Sequence, residues 1–160
     1  MELLVTISLA SILFVMAGLN FYEYMTRSRQ KETARTFEAE LWNVRNAART
    51  SQRSVYVHIT SNLYTAFIDN DGDGSLSDGD VRLTMISVVP PVEVQGASGL
   101  SLPCDFSFTA TGRPSFATSA QFVIVQTTDL KRQYKLTIYP TGITHVEISG
   151  NSGASWQPAW

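Results

Sequence analysis

One acidic stretch of this sequence, residues 69–80, combines oxygen-bearing side chains in a pattern suited to holding a metal ion. It reads Asp-Asn-Asp-Gly-Asp-Gly-Ser-Leu-Ser-Asp-Gly-Asp. Aspartates occupy its first, third, fifth and twelfth positions and a glycine its sixth, which is the spacing of a twelve-residue calcium-binding loop. Oxygen donors suit calcium, because it is a hard cation. We therefore predict a calcium site whose ligands are Asp69, Asp71, Asp73, Ser75, Ser77 and Asp80.

A second interpretation of residues 69–80 stays open, because Asp and Gly commonly form solvated turns between strands. Asp80 stands where calcium-binding loops usually have a glutamate, whose longer side chain makes bidentate ligation easier. The flanking segments alternate like strands and do not have the periodicity of helices. The sequence leaves a calcium site and a polar turn as alternatives.

The other reactive residue types give no pattern of an active site. His58 and His145, the only histidines, each alternate with apolar residues along a predicted strand. Cys104, the only cysteine, has no evident base partner and fits a small apolar strand position. No G-x-S-x-G, P-loop or dinucleotide fingerprint occurs. The sequence therefore argues against an enzyme.

The N-terminal segment has the composition of a membrane-spanning helix. Residues 3–19 are 17 residues without a formal charge, which is the short limit for a span. Phe21, Tyr22 and Tyr24 follow, and aromatic rings prefer the headgroup layer. We predict that residues 1–25 form the transmembrane half of a helix. A cleaved secretory signal is the alternative, disfavoured because no Lys or Arg precedes Leu3 and the helical pattern continues.

The charges around this segment need a further explanation. Arg27, Arg29 and Lys31 follow it, and the positive-inside rule would place them, with the head, in the cytoplasm. The conflict disappears if the gene encodes a basic leader ahead of Met1, and we expect one. Glu2 is costly at the edge of an apolar segment unless it is solvated or paired. It is either an interfacial residue or the partner of a cation on a neighbouring subunit.

Residues 26–53 are predicted to continue the same helix as an amphipathic half. They contain no Gly or Pro, so a single helix of about 50 residues and about 75 Å is expected from a rise of 1.5 Å per residue. One face carries apolar residues at helical spacing, as in a helix packed on a sheet: Ala34, Phe37, Leu41, Val44 and Ala48. Trp42 lies roughly 140° from Phe37. It is either an exposed or loop-covered side chain or a contact between subunits.

Residues 54–160 are predicted to form a β-rich head, so the fold class is α+β, with the long N-terminal helix packed on an antiparallel β-sheet. Alternation changes to a period of two after Arg53. The predicted strands begin with the run from Val55 to Ile59 and continue with Leu63–Ile68, Val81–Val89, Cys104–Phe108, Gln121–Thr127, Tyr134–Tyr139 and Ile143–Ile148. Short turns imply consecutive hairpins, one of them at Asp129–Arg132. Pro90, Pro91 and residues 96–99 predict a loop.

The charge of the head disfavours a nucleic-acid partner. Residues 54–160 hold nine acids against five bases, and such a surface repels phosphate backbones. Lys131, Arg132 and Lys135 are the only basic cluster in the head. A solvated turn accounts for them.

The N-terminal run Glu2-Leu3-Leu4-Val5-Thr6-Ile7 resembles the start of mature type IV pilin-like proteins. In the head, Phe67-Ile68-Asp69, Phe108 with Gly112 and Arg113, and Tyr139-Pro140-Thr141-Gly142 resemble the GspH/FimT-type minor pseudopilins. The resemblance implies a minor structural subunit of a type II secretion pseudopilus or a type IV pilus. Such a subunit is processed and methylated at its N-terminus, is anchored in the bacterial inner membrane with its head in the periplasm, and assembles at or near the filament tip.

The resemblance also implies partners and roles. Other pilin-like subunits and inner membrane lipid would be the partners, and Glu2 would pair with the N-terminal amine of a neighbouring subunit. Met1 stands directly before Glu2, whereas the family has a leader glycine and a short apolar stretch. Some FimT-like proteins bind DNA through basic residues near the C-terminus, and a DNA-uptake role is the alternative function. This sequence has no Lys or Arg after Lys135.

Overall fold

The computed structural model describes residues 2–160, and the side chains of residues 2–5, 10, 12, 13 and 15–20 lie outside that description. A single helix, α1, runs from Glu2 to Ser51 over 50 residues, which confirms the predicted continuous helix. Gln52, the first residue after the helix, adopts a positive φ of 54°. Across the described residues, no helical segment is both long enough and apolar enough to cross a membrane.

The head contains two antiparallel sheets. Their strands are β1 Val55–Ile59, β2 Leu63–Ile68, β3 Val81–Ser87, β4 Val92–Ala97, β5 Cys104–Phe108, β6 Ala120–Gln126, β7 Asp129–Ile138, β8 Thr144–Ser149 and β9 Gln157–Pro158. The first sheet has the strand order β3-β2-β1-β5, and the second has the order β4-β6-β7-β8-β9.

The predicted consecutive hairpins are confirmed in their pairing, because β1 pairs with β2, β6 with β7 and β7 with β8, but the exchange of the chain between two sheets was not predicted. Strand β1 pairs with β5 as well as β2, and β4 pairs with β6, so the chain crosses between sheets after β3, after β4 and after β5. The predicted loop at residues 90–99 contains strand β4, whose Val92 and Val94 are buried. Neighbouring prolines and Gly96 concealed this short alternation, and an edge strand tolerates both residue types.

One predicted turn also lies elsewhere. The connection between β6 and β7 is at residues 127–128, so Asp129–Arg132 belong to strand β7. A register shift between Val125 and Gln126 makes the connection irregular. The turn was predicted from the composition of residues 129–132, and local composition does not reveal where a bulge shifts the pairing of two strands.

The apolar stripe of the helix forms the centre of the core. All five of its residues, Ala34, Phe37, Leu41, Val44 and Ala48, are buried, which confirms the prediction. The Phe37 ring lies 5.2 Å from that of Tyr64 on β2, and Phe106 on β5 lies 6.5 Å from Phe122 on β6. The helix packs across both sheets and joins them into one core.

A buried glutamine fixes the helix to the second sheet. Gln30 Nε2 donates to the carbonyls of Ile124, at 3.0 Å, and Arg132, at 2.9 Å. These carbonyls lie beside the register shift in the pairing of β6 and β7. Because buried carbonyls are costly when unpaired, one amide group satisfies both strands and sets the position of the helix along them.

Candidate functional site

The acidic loop joins strand β2 to strand β3 at the edge of the first sheet. Three of its carboxylates, those of Asp69, Asp71 and Asp73, place oxygen atoms within 4.8 Å of one another. Calcium binds oxygens at about 2.3–2.6 Å, so two ligands on opposite sides of one ion lie about 5 Å apart. The spacing of this trio therefore fits a hard cation.

The rest of the predicted ligand set is arranged differently. Asp80 accepts hydrogen bonds from the N–H groups of Asn70, at 2.8 Å, and Ser77, at 2.7 Å, and so closes the two ends of the loop. The Ser77 hydroxyl donates to Asp71 at 3.0 Å. The Ser75 N–H donates to Asp73 at 2.6 Å. The structure brings the first three aspartates together and does not bring Asp80 into their group.

Backbone hydrogen bonds favour the charged form of two loop carboxylates, those of Asp69 and Asp80. Partial burial of Asp69 raises its pKa, but the N–H groups of Gly74 and Gly72 outweigh this effect, so its pKa lies below the ordinary value. The N–H groups of Asn70 and Ser77 lower the pKa of Asp80 in the same way. Asp69, a member of the trio, is therefore charged at neutral pH, as cation binding requires of its ligands.

The histidine and the cysteine of the first sheet do not form a nucleophilic site. His58 on β1 pairs with Asp105, the residue opposite it on β5, on the outer face of the sheet. Cys104 is half-buried on the same strand, and burial, with Asp105 nearby, raises the pKa of its thiol. A raised pKa leaves little thiolate at neutral pH.

Trp42 lies at a second surface, beside the turn between β7 and β8. Its side chain is 61% exposed, so no head loop covers it, and Ile143 beside it is 56% exposed. Both residues line a groove of about 720 Å³ between the helix and this turn. An exposed indole next to an exposed aliphatic side chain is a surface that a neighbouring subunit can cover.

Sequence reasoning missed the junction that holds both sheets to the helix. Arg45 donates from Nε to the Gly112 carbonyl at 3.1 Å and from Nη2 to the Thr141 carbonyl at 3.2 Å. Gly112 and Gly142 end matching turns, and both have a φ of 77°. The signal in the sequence was a pair of Thr-Gly turns following strands, together with an arginine on the helix.

The predicted basic cluster is not one free patch. Lys135 forms an ion pair with Glu147 at 2.7 Å and lies over the Trp156 ring at 4.5 Å. Arg132 lines a groove beside the helix, whereas its neighbour Lys131 does not line that groove. Glu2, the other predicted assembly residue, has its side chain outside the described residues.

Three solved structures are similar to this chain. Two are crystal forms of the type IV minor pilin FimU of Pseudomonas aeruginosa strain PAO1, both 18% identical. The first has a TM-score of 0.60 and covers 86% of this chain and 99% of FimU, and the second has a TM-score of 0.57 and covers 81% and 99%. The minor pseudopilin EpsH from the type 2 secretion system of Vibrio cholerae is 15% identical, with a TM-score of 0.57 over 74% of this chain and 95% of EpsH.

No protein-family model matches the sequence, and no curated protein matches it in a sequence search. The structural likeness extends over almost the whole of each solved chain. It includes the long helix packed on antiparallel sheets. The chain therefore has a type IV pilin-like fold, the α+β fold of the minor pilin FimU and the minor pseudopilin EpsH.

Proposed function

We propose that this chain is a minor pilin-like structural subunit that assembles, at or near the tip, into a type II secretion pseudopilus or a type IV pilus. The proposal rests on a difference in burial between the two halves of helix α1. The apolar residues from Ala34 to Ala48 are buried under the head, whereas Ile7, Leu9 and Phe14 are 57–80% exposed. An exposed apolar helix half requires lipid or other helices around it.

The N-terminal half of the helix would serve two environments in turn. Before assembly it would anchor the chain in the bacterial inner membrane, with the head in the periplasm and lipid around the helix. In the filament it would pack against the helices of other pilin-like subunits. A leader peptide, its cleavage and N-methylation belong to this proposal. The structural role also supports the absence of an enzymatic activity.

The proposal includes Trp42 as a contact between subunits, and replacing it tests this. Trp42→Ala is expected to leave the melting temperature of the chain within about 2 °C, because exposed substitutions rarely change stability by more than about 0.5 kcal/mol. The fraction of the chain that copurifies with filaments from host cells should fall severalfold.

Leu130→Ala is the matched control for Trp42→Ala. Leu130 is 52% exposed, and it lies on β7 near its connection with β6, away from the groove at Trp42. This variant should copurify with filaments as the unmodified chain does. Equal losses for the two variants, or no loss for either, would remove the groove at Trp42 from the assembly surface.

We also propose that the acidic loop binds calcium through Asp69, Asp71 and Asp73. With three carboxylates and Asp80 engaged elsewhere, the dissociation constant should lie near the extracellular range, about 10⁻⁴ to 10⁻³ M. Binding to the folded state alone would then stabilise the chain by about 1.4 kcal/mol at ten times that concentration. The melting temperature in detergent should rise by several degrees with millimolar calcium and return with chelator.

Two variants separate a calcium site from a polar turn. Asp71→Asn with Asp73→Asn should abolish the calcium-dependent rise in melting temperature, because it removes two of the three carboxylates. Asp78→Asn lies in the same loop but outside the trio, so it should keep the rise. If the unmodified chain melts at the same temperature with calcium and with chelator, the loop is only a polar turn.

The excess of acidic residues in the head supports the expectation that nucleic acid is not among the partners of the chain. DNA uptake remains the rival hypothesis for this fold. The pairing of Lys135 with Glu147 leaves fewer free cations on the outer strands than the sequence alone indicates. A mobility-shift measurement at low and moderate salt distinguishes the two functions.

A further inference from the structure

A basic groove of about 580 Å³ lies between helix α1 and strand β7. Four cations and one carboxylate, Glu32, are among the residues that line it. The cations are Arg27, Lys31, Arg35 and Arg132. The groove therefore carries a net positive charge beside a head, residues 54–160, that has an excess of acids.

Three of these cations follow one another at four-residue intervals on α1, so they lie on one face of the helix. Like charges at this spacing disfavour a helix. Arg27 is paired with Glu23 at 3.4 Å, and the Arg35 guanidinium lies 4.9 Å from the centre of the Trp160 ring. Among the ion pairs of the described residues, none involves Lys31 or Arg132. Their charges are available to a ligand.

Arg132 on β7 lies across the groove from the three cations of helix α1. Tyr134 lies between them: burial raises the pKa of its hydroxyl, and the nearby charges of Arg132 and Arg35 partly oppose that effect. Both guanidinium groups are thus close to one hydroxyl, which is itself a hydrogen-bond donor. Cations from two elements and a hydroxyl converge on one space, an arrangement suited to the oxygens of a phosphate.

The position of the groove along α1 indicates where that phosphate would come from. Tyr24 lines one end of it, and Phe21, Tyr22 and Tyr24 are exposed aromatic residues of the kind found at the headgroup layer. Lys31 lies about 10 Å beyond Tyr24 along the helix. The headgroup layer of one leaflet is roughly 5–7 Å thick. The end of the groove at Tyr24 and Arg27 therefore opens at the surface of the membrane that anchors the chain. Lys31 lies roughly 3–5 Å outside the headgroup layer, a distance that its long side chain can span.

We propose that this groove binds the phosphate of an anionic phospholipid headgroup in the membrane leaflet beside the head. The inference rests on the proposed membrane anchor and adds a lipid class and a site to it. It also accounts for Arg27 and Lys31 on the side of the membrane where the positive-inside rule does not expect them. An anionic headgroup neutralises positive charge in the groove and holds the adjoining part of the head close to the bilayer.

Lipid titration of the full-length chain in detergent tests this inference. Phosphatidylglycerol or phosphatidylcholine is added, and bound lipid is counted by native mass spectrometry. Phosphatidylglycerol should bind in preference to phosphatidylcholine. A cation near a membrane surface contributes roughly fivefold in affinity for anionic lipid, so Lys31→Gln with Arg132→Gln should weaken phosphatidylglycerol binding roughly 25-fold.

A second double variant, Arg82→Gln with Arg113→Gln, is the control, since it removes the same charge outside the groove. It should bind phosphatidylglycerol as the unmodified chain does, and each variant is checked by thermal melting. Equal affinity for the two lipids, or equal losses for the two double variants, would overturn the inference.

Two competitors test other phosphate or carboxylate sources for the groove. An oligonucleotide, or a peptide of residues 69–80, is titrated in place of the lipid. Either ligand could bind the unmodified chain more tightly than phosphatidylglycerol and bind the Lys31→Gln and Arg132→Gln double variant more weakly. Either result would assign the groove to nucleic acid or to a neighbouring acidic loop and overturn the inference. A chain that does not enter bilayers at all overturns the anchor and the inference together, whereas entry without lipid preference overturns the inference alone.

Discussion

Gly142→Ala is expected to destabilise the protein by about 3–5 kcal/mol, a large share of the stability of an ordinary domain. Gly142 has a φ of 77°, a conformation that costs a residue with a side chain about 1–2 kcal/mol. An added Cβ would also collide with the Gly112 carbonyl and lie 2.9 Å from Arg45 Nε. The substitution therefore separates the two turns from the arginine that joins them to the helix. Urea denaturation measures the loss.

Gly99→Ala provides the matched comparison. Gly99 has a φ of 84°, but a Cβ added there meets no atom within 4 Å. Its loss should be limited to the backbone term of about 1–2 kcal/mol. If both substitutions shift the urea midpoint equally, the junction at Arg45 contributes nothing beyond backbone conformation.

Glu2→Ala is expected to reduce filament incorporation at least tenfold while leaving the head folded. The carboxylate adjoins the apolar segment of residues 3–19, where an unpaired charge is unfavourable. In the proposed filament it pairs with the N-terminal amine of a neighbouring subunit. Removing it therefore removes a pairing that only the assembled state makes.

Two controls accompany this substitution. Glu23→Ala removes a helix carboxylate whose pair with Arg27 lies within one chain, and it should incorporate normally. Thermal melting and membrane fractionation of Glu2→Ala should match those of the unmodified chain. Normal incorporation of Glu2→Ala would reduce Glu2 to a solvated interfacial residue.

The helix and its buried face could be predicted because their signals are local. Residues 26–53 lack Gly and Pro, and five apolar residues recur at helical spacing. Burial of Phe37 and Leu41 follows directly from that periodicity, since the stripe has to face a core. The same periodicity places Trp42 away from the core, and it is exposed.

The division of the head into two sheets could not be predicted in the same way. Which strand pairs with which depends on contacts far apart in sequence, such as Val57 opposite Phe106. Strand β4 was hidden because Pro90, Pro91 and Gly96 outweighed the alternation of Val92 and Val94. The bulge at Val125 and Gln126 moved a turn that local composition had indicated.

The candidate sites show the same limit. The spacing of Asp69, Asp71 and Asp73 brought their carboxylates together, because close positions in one loop have little freedom to separate. The spacing did not predict the position of Asp80. Its carboxylate accepts hydrogen bonds from the backbone N–H groups of Asn70 and Ser77, where the two ends of the loop meet, and so it lies outside the trio. The hydrogen bonds of Arg45 could not be predicted from residue spacing, since its two partners lie 67 and 96 residues away along the chain.

Cross-linking in host cells tests the central claim most directly. A photo-reactive residue in place of Asn43, an exposed residue that lines the same groove as Trp42, is activated in living cells on the full-length tagged chain, and the captured partners are identified by mass spectrometry. If the chain is a filament subunit, the partners will be other pilin-like proteins, and the cross-links will diminish when Glu2→Ala is combined with the same probe. Cross-links that contain no pilin-like protein, with the chain absent from isolated filaments, would contradict the account.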